Sequence, residues 1–282
     1  MAQKPLILAV ETASRTGSVA IALGEKMLAE ATFSAPLRHS AEIFPAIQDL
    51  LARFSRKTQQ IQHIYISIGP GSFTGLRIAT TLAKTMHLAN PPQRTKIVPV
   101  DTLDVIAANA ADCEQPPERI AAILDAKRNQ FFVAAYSRLD ETSSTIRAST
   151  IEQQASSIEY QASNIQDRAS SIEHQGSSIE HQEVVSGIWK KILPDSLMTA
   201  REFIEKFAGG RTPISLLGDG LLYYKDKFKA EGIRFLDEMY WSPRASKVHL
   251  LGWKLALANK FADPVTLTPN YLRRPDIRIK PR

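Results

Sequence analysis

The strongest constraint on the fold is the order of the predicted elements, in which an antiparallel opening gives way to alternating strands and helices. Apolar and alternating runs predict strands over residues 6–12, 18–23, 27–33, 61–68, 97–100, 119–126, 131–137 and 214–217. Helical spacing and capping residues predict helices over residues 40–54, 76–88, about ten residues from 102, 199–207, 221–230 and 244–261. The pattern restarts near residue 103. It therefore predicts an α/β fold with mixed sheets and an internal duplication.

The predicted duplication divides the chain into a first lobe at residues 1–102, a second lobe at 103–267 and a basic tail at 268–282. Five consecutive seven-residue units at 148–182 interrupt the second lobe. Each unit has one large apolar side chain, which is too little burial to offset the entropy of ordering the segment. We therefore expect a mobile insertion in preference to the alternative, a marginal amphipathic helix.

Composition narrows the classes of protein without selecting one. The 282 residues carry a formal charge of +6, although the repeat segment is acidic. The surplus of positive charge outside the repeats is equally consistent with binding to a polyanion and with a role in solubility alone. Cys113 is the single cysteine, which excludes an intramolecular disulfide and a cysteine-based metal site. The single cysteine fits a reducing cytoplasm, where we expect the protein to be located. No apolar run approaches the roughly 20 residues of a membrane span, so we expect no membrane segment.

The most specific stretch is the glycine-rich run Gly69–Arg77, which lies between a predicted strand and a predicted helix. Its spacing matches neither a Walker A loop nor a dinucleotide fingerprint. The glycines and the following helix N-terminus could hold an anion. The alternative, favoured on physical grounds alone, is a tight strand-to-helix turn capped by Ser72 or Thr74.

The same run resembles the signature of the TsaB family, whose members dimerise with the catalytic subunit that installs threonylcarbamoyladenosine in transfer RNA. Further matches lie in the same order along nearly the whole chain outside the repeats: residues 7–20, His39-Ser40 with Pro45, 76–88, 124–128, 218–220 and 269–273. The resemblance implies the duplicated actin-like ATPase (ribonuclease H-like) fold, with two lobes of mixed sheets flanked by helices.

The resemblance also implies a set of motif residues at a degenerate anion or nucleotide site. These residues are Glu11, Thr12, Ser14, Gly69, Gly71, Ser72, Thr74, Gly75, Arg77, Gly218 and Asp219. We expect no intrinsic cofactor and no catalytic residue in this chain. Any ATP requirement is expected at the level of the assembled complex.

The resemblance implies a partner interface built from two helices. The expected interface residues are His39, Ile43, Phe44, Ile47, Leu50, Leu51, Leu76, Ala79, Thr80, Ala83 and His87. The alternative is that these apolar stripes face only the protein's own sheet. The expected partners are a TsaD-like catalytic subunit, a TsaE-like ATPase and, through the complex, tRNA, with a homodimer when the chain is alone.

Two other classes of function stay open. The first is an actin-like ATPase or small-molecule kinase, for which Asp101, Asp125 and Asp219 are the candidate acids. The second is a homodimeric nucleic-acid-binding protein. The catalytic TsaD-type relative carries a metal-binding His-x-x-x-His pair. Here Ile43 stands four residues after His39, so we expect neither a metal nor peptidase activity.

The basic tail has two interpretations. Leu272–Arg282 contains five basic residues and one acid. The segment is either solvated or adds phosphate contacts when the complex holds tRNA.

Overall fold

The computed structural model describes residues 4–34, 39–90, 95–139, 184–185 and 188–273. The repeat units at 148–182 and the tail residues 274–282 lie outside the described residues, so the expectations for both stay predictions. The strands are β1 Leu6–Glu11, β2 Ser18–Leu23, β3 Lys26–Thr32, β4 Ile61–Gly69, β5 Lys96–Asp101, β6 Arg119–Asp125, β7 Phe131–Arg138, β8 Val184–Val185, β9 Trp189–Met198, β10 Ile214–Leu217 and β11 Ile233–Phe235. The α-helices are α1 His39–Arg53, α2 Phe73–Ala89, α3 Thr102–Asn109, α4 Ala200–Phe207, α5 Leu221–Tyr224 and α6 Ala245–Leu257.

The two sheets have the same topology. The first has the order β3-β2-β1-β4-β5, in which β1, β2 and β3 are antiparallel and β4 and β5 run parallel to β1. The second has the order β11-β10-β6-β7-β9-β8, in which β6, β7 and β9 form the antiparallel part and β10 and β11 the parallel part. Strand β8 is an addition at the edge. The predicted α/β fold with two duplicated mixed sheets flanked by helices is confirmed.

The duplication extends to backbone conformation at the end of the fourth strand of each repeat. Gly69 at the end of β4 has φ +122°, and Gly218 after β10 has φ +120°. Only glycine adopts such angles without strain. A Cβ at Gly218 would also lie 2.2 Å from the Ile123 carbonyl oxygen. Both glycine-rich stretches found in the sequence therefore occupy equivalent strand-to-helix turns.

Two helices pack mainly on the sheet that they do not follow directly in sequence. Helices α1 and α2 pack on one face of the first sheet through Ile43, Ile47 and Leu50, among others. The opposite face is covered by the last helix, α6, whose Gly252 lies against the Tyr65 ring. Helix α3 follows the first sheet in sequence but packs mainly on the second. Each sheet is thus covered partly by a helix from the other half of the chain.

Several element bounds differ from the prediction. Helix α6 ends at Leu257, because Asn259 takes a left-handed conformation and Lys260 N donates to the Leu255 carbonyl. The helix predicted over 221–230 is a four-residue α-helix followed by a 3-10 turn. The capping box of Thr199 and Glu202 is confirmed. Within the described parts of the chain, the membrane criterion of length and apolarity is met by no helix.

Candidate functional sites

The glycines of the Gly69–Arg77 run allow helix α2 to pack directly on the β1–β2 hairpin. A Cβ at Gly75 would lie 1.7 Å from the Thr12 carbonyl oxygen, and one at Gly71 would lie 2.4 Å from that of Ala13. The Thr12 hydroxyl donates to the Gly75 carbonyl at 2.7 Å. These glycines are therefore required for a close backbone approach.

The start of α2 forms the strand-to-helix turn. The Ser72 hydroxyl accepts from Gly75 N at 3.3 Å and is the N-cap, while Ser72 N donates to the Ala13 carbonyl at 2.7 Å. Two amides that an anion would need are thus already bonded within the protein. Thr74 and Arg77 are exposed, and the Arg77 guanidinium lies 5.3 Å from the centre of the Phe73 ring.

Two carboxyl groups are buried between the β1–β2 hairpin and the Gly218 turn. Glu11 accepts a hydrogen bond from the Ser67 hydroxyl and another from Ala13 N at 2.6 Å. Burial nevertheless raises its pKa to about 7, and the nearby Asp219 carboxylate adds to the rise. Burial likewise raises the pKa of Asp219 to about 6, although Arg15 N donates to it at 3.3 Å.

A cavity of about 740 Å³ separates the lobes, and we call it the interlobe cleft. Its walls are the β1–β2 hairpin, the turn before α2, the β6–β7 hairpin, helix α5 and the segment leading to the tail. The lining side chains include Ser14, Arg15, Ser72, Phe73, Asp125, Lys127, Arg128, Phe132, Asp219, Tyr223, Asn270, Tyr271 and Arg273. Of the predicted motif residues, the cavity lining thus brings together Ser14, Gly71, Ser72 and Asp219. The others do not line this cavity: Glu11, Thr12, Gly69, Thr74, Gly75, Arg77 and Gly218.

The β6–β7 hairpin is the second-lobe counterpart of the β1–β2 hairpin. Its tip holds Lys127, Arg128 and Asn129 at positive φ angles of 63°, 53° and 64°. Lys127 Nζ forms an ion pair with Asp125 at 2.6 Å, and the Arg273 guanidinium donates a hydrogen bond to the Ala126 carbonyl at 2.7 Å. A basic hairpin therefore faces the hydroxyl-rich one across the cleft.

The acids proposed for a kinase or ATPase have other partners. Asp125 is paired with Lys127, and Asp219 accepts from the Arg15 amide. Asp101 lies at the end of β5 and precedes helix α3.

A second cavity, of about 680 Å³, lies between helices α1 and α2, and we call it the α1–α2 groove. Of the expected interface residues, Ile43, Ile47, Leu50, Leu51, Leu76, Ala79, Thr80 and Ala83 are buried. Phe44 is 58% exposed, and His87 is half-buried with Nδ1 2.9 Å from the Thr95 carbonyl. Ile43, Phe44 and Ile47 line the groove together with Ile78, Leu82 and Met86.

His39 is buried at the start of α1 and has a structural contact. Its Nε2 lies 3.0 Å from the Ser14 carbonyl, which links the helix to the β1–β2 hairpin. Burial lowers its pKa. No group of three or more His, Cys, Asp or Glu side chains that could hold a metal occurs among the residues with described positions. The expectation of no metal stays a prediction.

Sequence reasoning missed most residues of the interlobe cleft, among them Lys127, Tyr223, Tyr271 and Arg273. Lys127 and the segment 269–273 were noted only as landmarks of the resemblance. The duplication could have identified Lys127. Its β6–β7 hairpin is equivalent to the β1–β2 hairpin, so the two hairpins are expected to face the same cleft. Tyr223 had no comparable signal, since it lies on a short helix whose length was overestimated.

The family model for TsaD, tRNA N6-adenosine threonylcarbamoyltransferase, matches residues 33–220 of this chain. The TsaB protein of Bacillus subtilis, named for tRNA threonylcarbamoyladenosine biosynthesis, is 32% identical over 46% of this chain and 54% of its own. Its namesake from Escherichia coli is 32% identical over 47% of this chain and 55% of its own. The chain thus spans about half the length of these curated relatives.

Solved structures match over a larger share of the chain. A Pseudomonas aeruginosa protein described as similar to the peptidase YeaZ covers 95% of this chain and 100% of its own, with 18% identity and a TM-score of 0.68. YeaZ from the same organism has a TM-score of 0.66 at the same identity and coverage. These two matches show the fold. The TsaB proteins are thus relatives to which this chain is similar over about half of their length. Because the family model covers well over half of the sequence, the chain belongs to the TsaD family.

Proposed function

We propose that this chain is a non-catalytic subunit required for formation of N6-threonylcarbamoyladenosine at position 37 of tRNA. In this proposal it dimerises with a TsaD-like catalytic subunit, which transfers the threonylcarbamoyl group from its adenylate to the adenosine. A TsaE-like ATPase completes the system, and tRNA binds to the assembled complex. The names of the relatives support the pathway.

The observation that carries the scaffold role is the apolar α1–α2 groove. Phe44 is 58% exposed on its rim, and Leu82 and Met86 line it from α2. Among the described residues, Arg77 is the charged side chain on its wall. An exposed apolar surface rimmed by polar groups is typical of a protein-binding site. The groove lies between the two helices that the sequence singles out, so a pair of helices from the partner would form a four-helix contact.

The burial of the helix stripes determines which substitution tests the interface. Ile47 and Leu51 are 4% and 3% exposed, so a charge at either position would disrupt the protein's own core. Phe44 can be replaced without that cost. We expect Phe44→Glu to stay folded and to weaken binding of a TsaD-like partner at least tenfold, since the variant loses an exposed aromatic contact and places a charge against an apolar partner surface.

Leu88→Glu is the matched control. Leu88 is 72% exposed on the last turn of α2 and does not line the groove. Co-purification and titration calorimetry compare the two variants, and a thermal melt checks their folding. If Phe44→Glu and Leu88→Glu bind the partner equally well, the groove is not the interface. The same pair of variants, measured by light scattering without partner, tests whether a homodimer uses this groove.

A further inference from the structure

The interlobe cleft combines exposed aromatic rings with cations. Tyr223 is 67% exposed and Phe73 is 43% exposed, and both rings line the cleft. The Arg15 guanidinium lies 5.2 Å from the Tyr223 ring centre, and the Phe73 and Tyr271 rings are 5.3 Å apart. The two sides of the opening therefore each present an aromatic surface.

The charges of the cleft favour an anion. Arg15, Lys127 and Arg273 line it from three separate segments. The acids beside them are Asp125, which is paired with Lys127, and the buried Asp219, while Arg128 is a fourth cation in the lining. The cationic side chains are thus only partly offset.

The two aromatic surfaces distinguish a strand from a free nucleotide. A free nucleotide has one base, whereas a strand can stack one base on Tyr223 and another on the Phe73–Tyr271 pair. Aromatic surfaces combined with a basic path are the usual means of binding single-stranded nucleic acid.

We propose that the interlobe cleft binds single-stranded RNA, with Tyr223 and the Phe73–Tyr271 pair stacking on bases and with Arg15, Lys127 and Arg273 contacting phosphates. This inference rests on the proposed function in tRNA modification and adds a direct RNA contact made by this chain. It requires neither the partner subunit nor the α1–α2 groove. Its failure is therefore distinguishable from failure of the scaffold role.

The test is fluorescence anisotropy of the full chain, without partner, with a labelled ten-nucleotide single-stranded RNA at several salt concentrations. Tyr223→Leu keeps an apolar side chain but removes the ring, and we expect roughly tenfold weaker binding. Tyr223→Phe keeps the ring and should bind like wild type. If the Leu variant binds as tightly as the Phe variant, stacking at this position is excluded and the proposal fails.

The phosphate contact has its own matched pair. Lys127 and Lys229 are both surface lysines paired with an aspartate, but only Lys127 lines the cleft. In a plot of the logarithm of the RNA-binding constant against the logarithm of the salt concentration, Lys127→Gln should make the slope less steep by about 0.7. Lys229→Gln should leave this slope unchanged. Equal effects of the two changes would overturn the proposal.

Competition experiments distinguish single-stranded RNA from other ligands that the cleft could bind. Single-stranded RNA should bind more tightly than the same sequence as a duplex, and millimolar ADP should not displace it. Displacement by ADP would assign the cleft to a free nucleotide. Loss of binding on deletion of residues 274–282, with the Tyr223 variants unchanged, would assign the contact to the tail. Either result would overturn the proposal.

Discussion

At the scale of single residues, the buried carboxyl of Glu11 is the group whose environment departs most from what the sequence suggests. Glu11 is a motif residue by resemblance, yet its partner Ser67 lies 56 residues away. Sequence position alone does not reveal that both are fully buried. The raised pKa follows from that burial, so it could not be predicted before the fold.

The raised pKa predicts how stability depends on pH. The folded-state pKa of Glu11 is about 7, against 4.5 for the unconstrained group. Between these values the folded state holds a proton that the unfolded state releases, so the unfolding free energy falls as pH rises. The stability lost through this group approaches about 3 kcal/mol above the window. Asp219 acts in the same direction.

Glu11→Gln mimics the protonated carboxyl and should remove part of this loss. We expect the variant to lose clearly less stability than wild type between pH 5 and 8, measured by urea unfolding. Glu25→Gln, at an exposed carboxylate, should follow the wild-type curve. An unchanged pH dependence in Glu11→Gln would show that Glu11 is ionised throughout.

At the scale of elements, strong periodicity identified most strands and helices correctly, and weak periodicity caused the errors. Helices α1 and α2 follow their predicted stripes. Strand β9 was not predicted, because it contains two adjacent lysines and a proline and pairs with β7 through irregular register. The local propensity of such a segment for a strand is weak, and its pairing with β7 determines the extended conformation.

The close packing of α2 on the β1–β2 hairpin predicts a large cost for one methyl group. In Gly75→Ala the new Cβ would lie 1.7 Å from the Thr12 carbonyl oxygen, so helix and hairpin must separate. We expect a loss of several kcal/mol of unfolding free energy, seen as a lower urea midpoint. Thr74→Ala, at the exposed neighbouring position, should cost within about 0.5 kcal/mol. Similar midpoints for the two variants would contradict this account.

At the scale of the whole molecule, the sequence predicted two lobes and their duplicated order but not the exchange of helices between them. Strand order follows from chain order and short connections. The placement of α6 depends on which sheet face is left uncovered once α1 and α2 have packed. The proposed boundary at residue 102 therefore separates the first sheet from the helix that covers its inner face.

The helix exchange predicts that the first lobe does not fold alone. A fragment of residues 1–102 would expose Ile7, Ala9, Tyr65 and Val98, which α6 and its neighbours bury in the whole protein. We expect no cooperative thermal transition by circular dichroism. The same fragment joined through a glycine-serine linker to residues 244–273 should recover one. A cooperative transition for the fragment alone would contradict the prediction.

The exchange also orders events on the ribosome. The first sheet is synthesised early, but the helix that seals it follows the whole second lobe, which at ~5–20 residues per second means a delay on the order of ten seconds. During that interval a nascent chain presents an apolar sheet face to the solvent or to a chaperone. The protein can reach its native state only after release of nearly the entire polypeptide, so its two halves mature together.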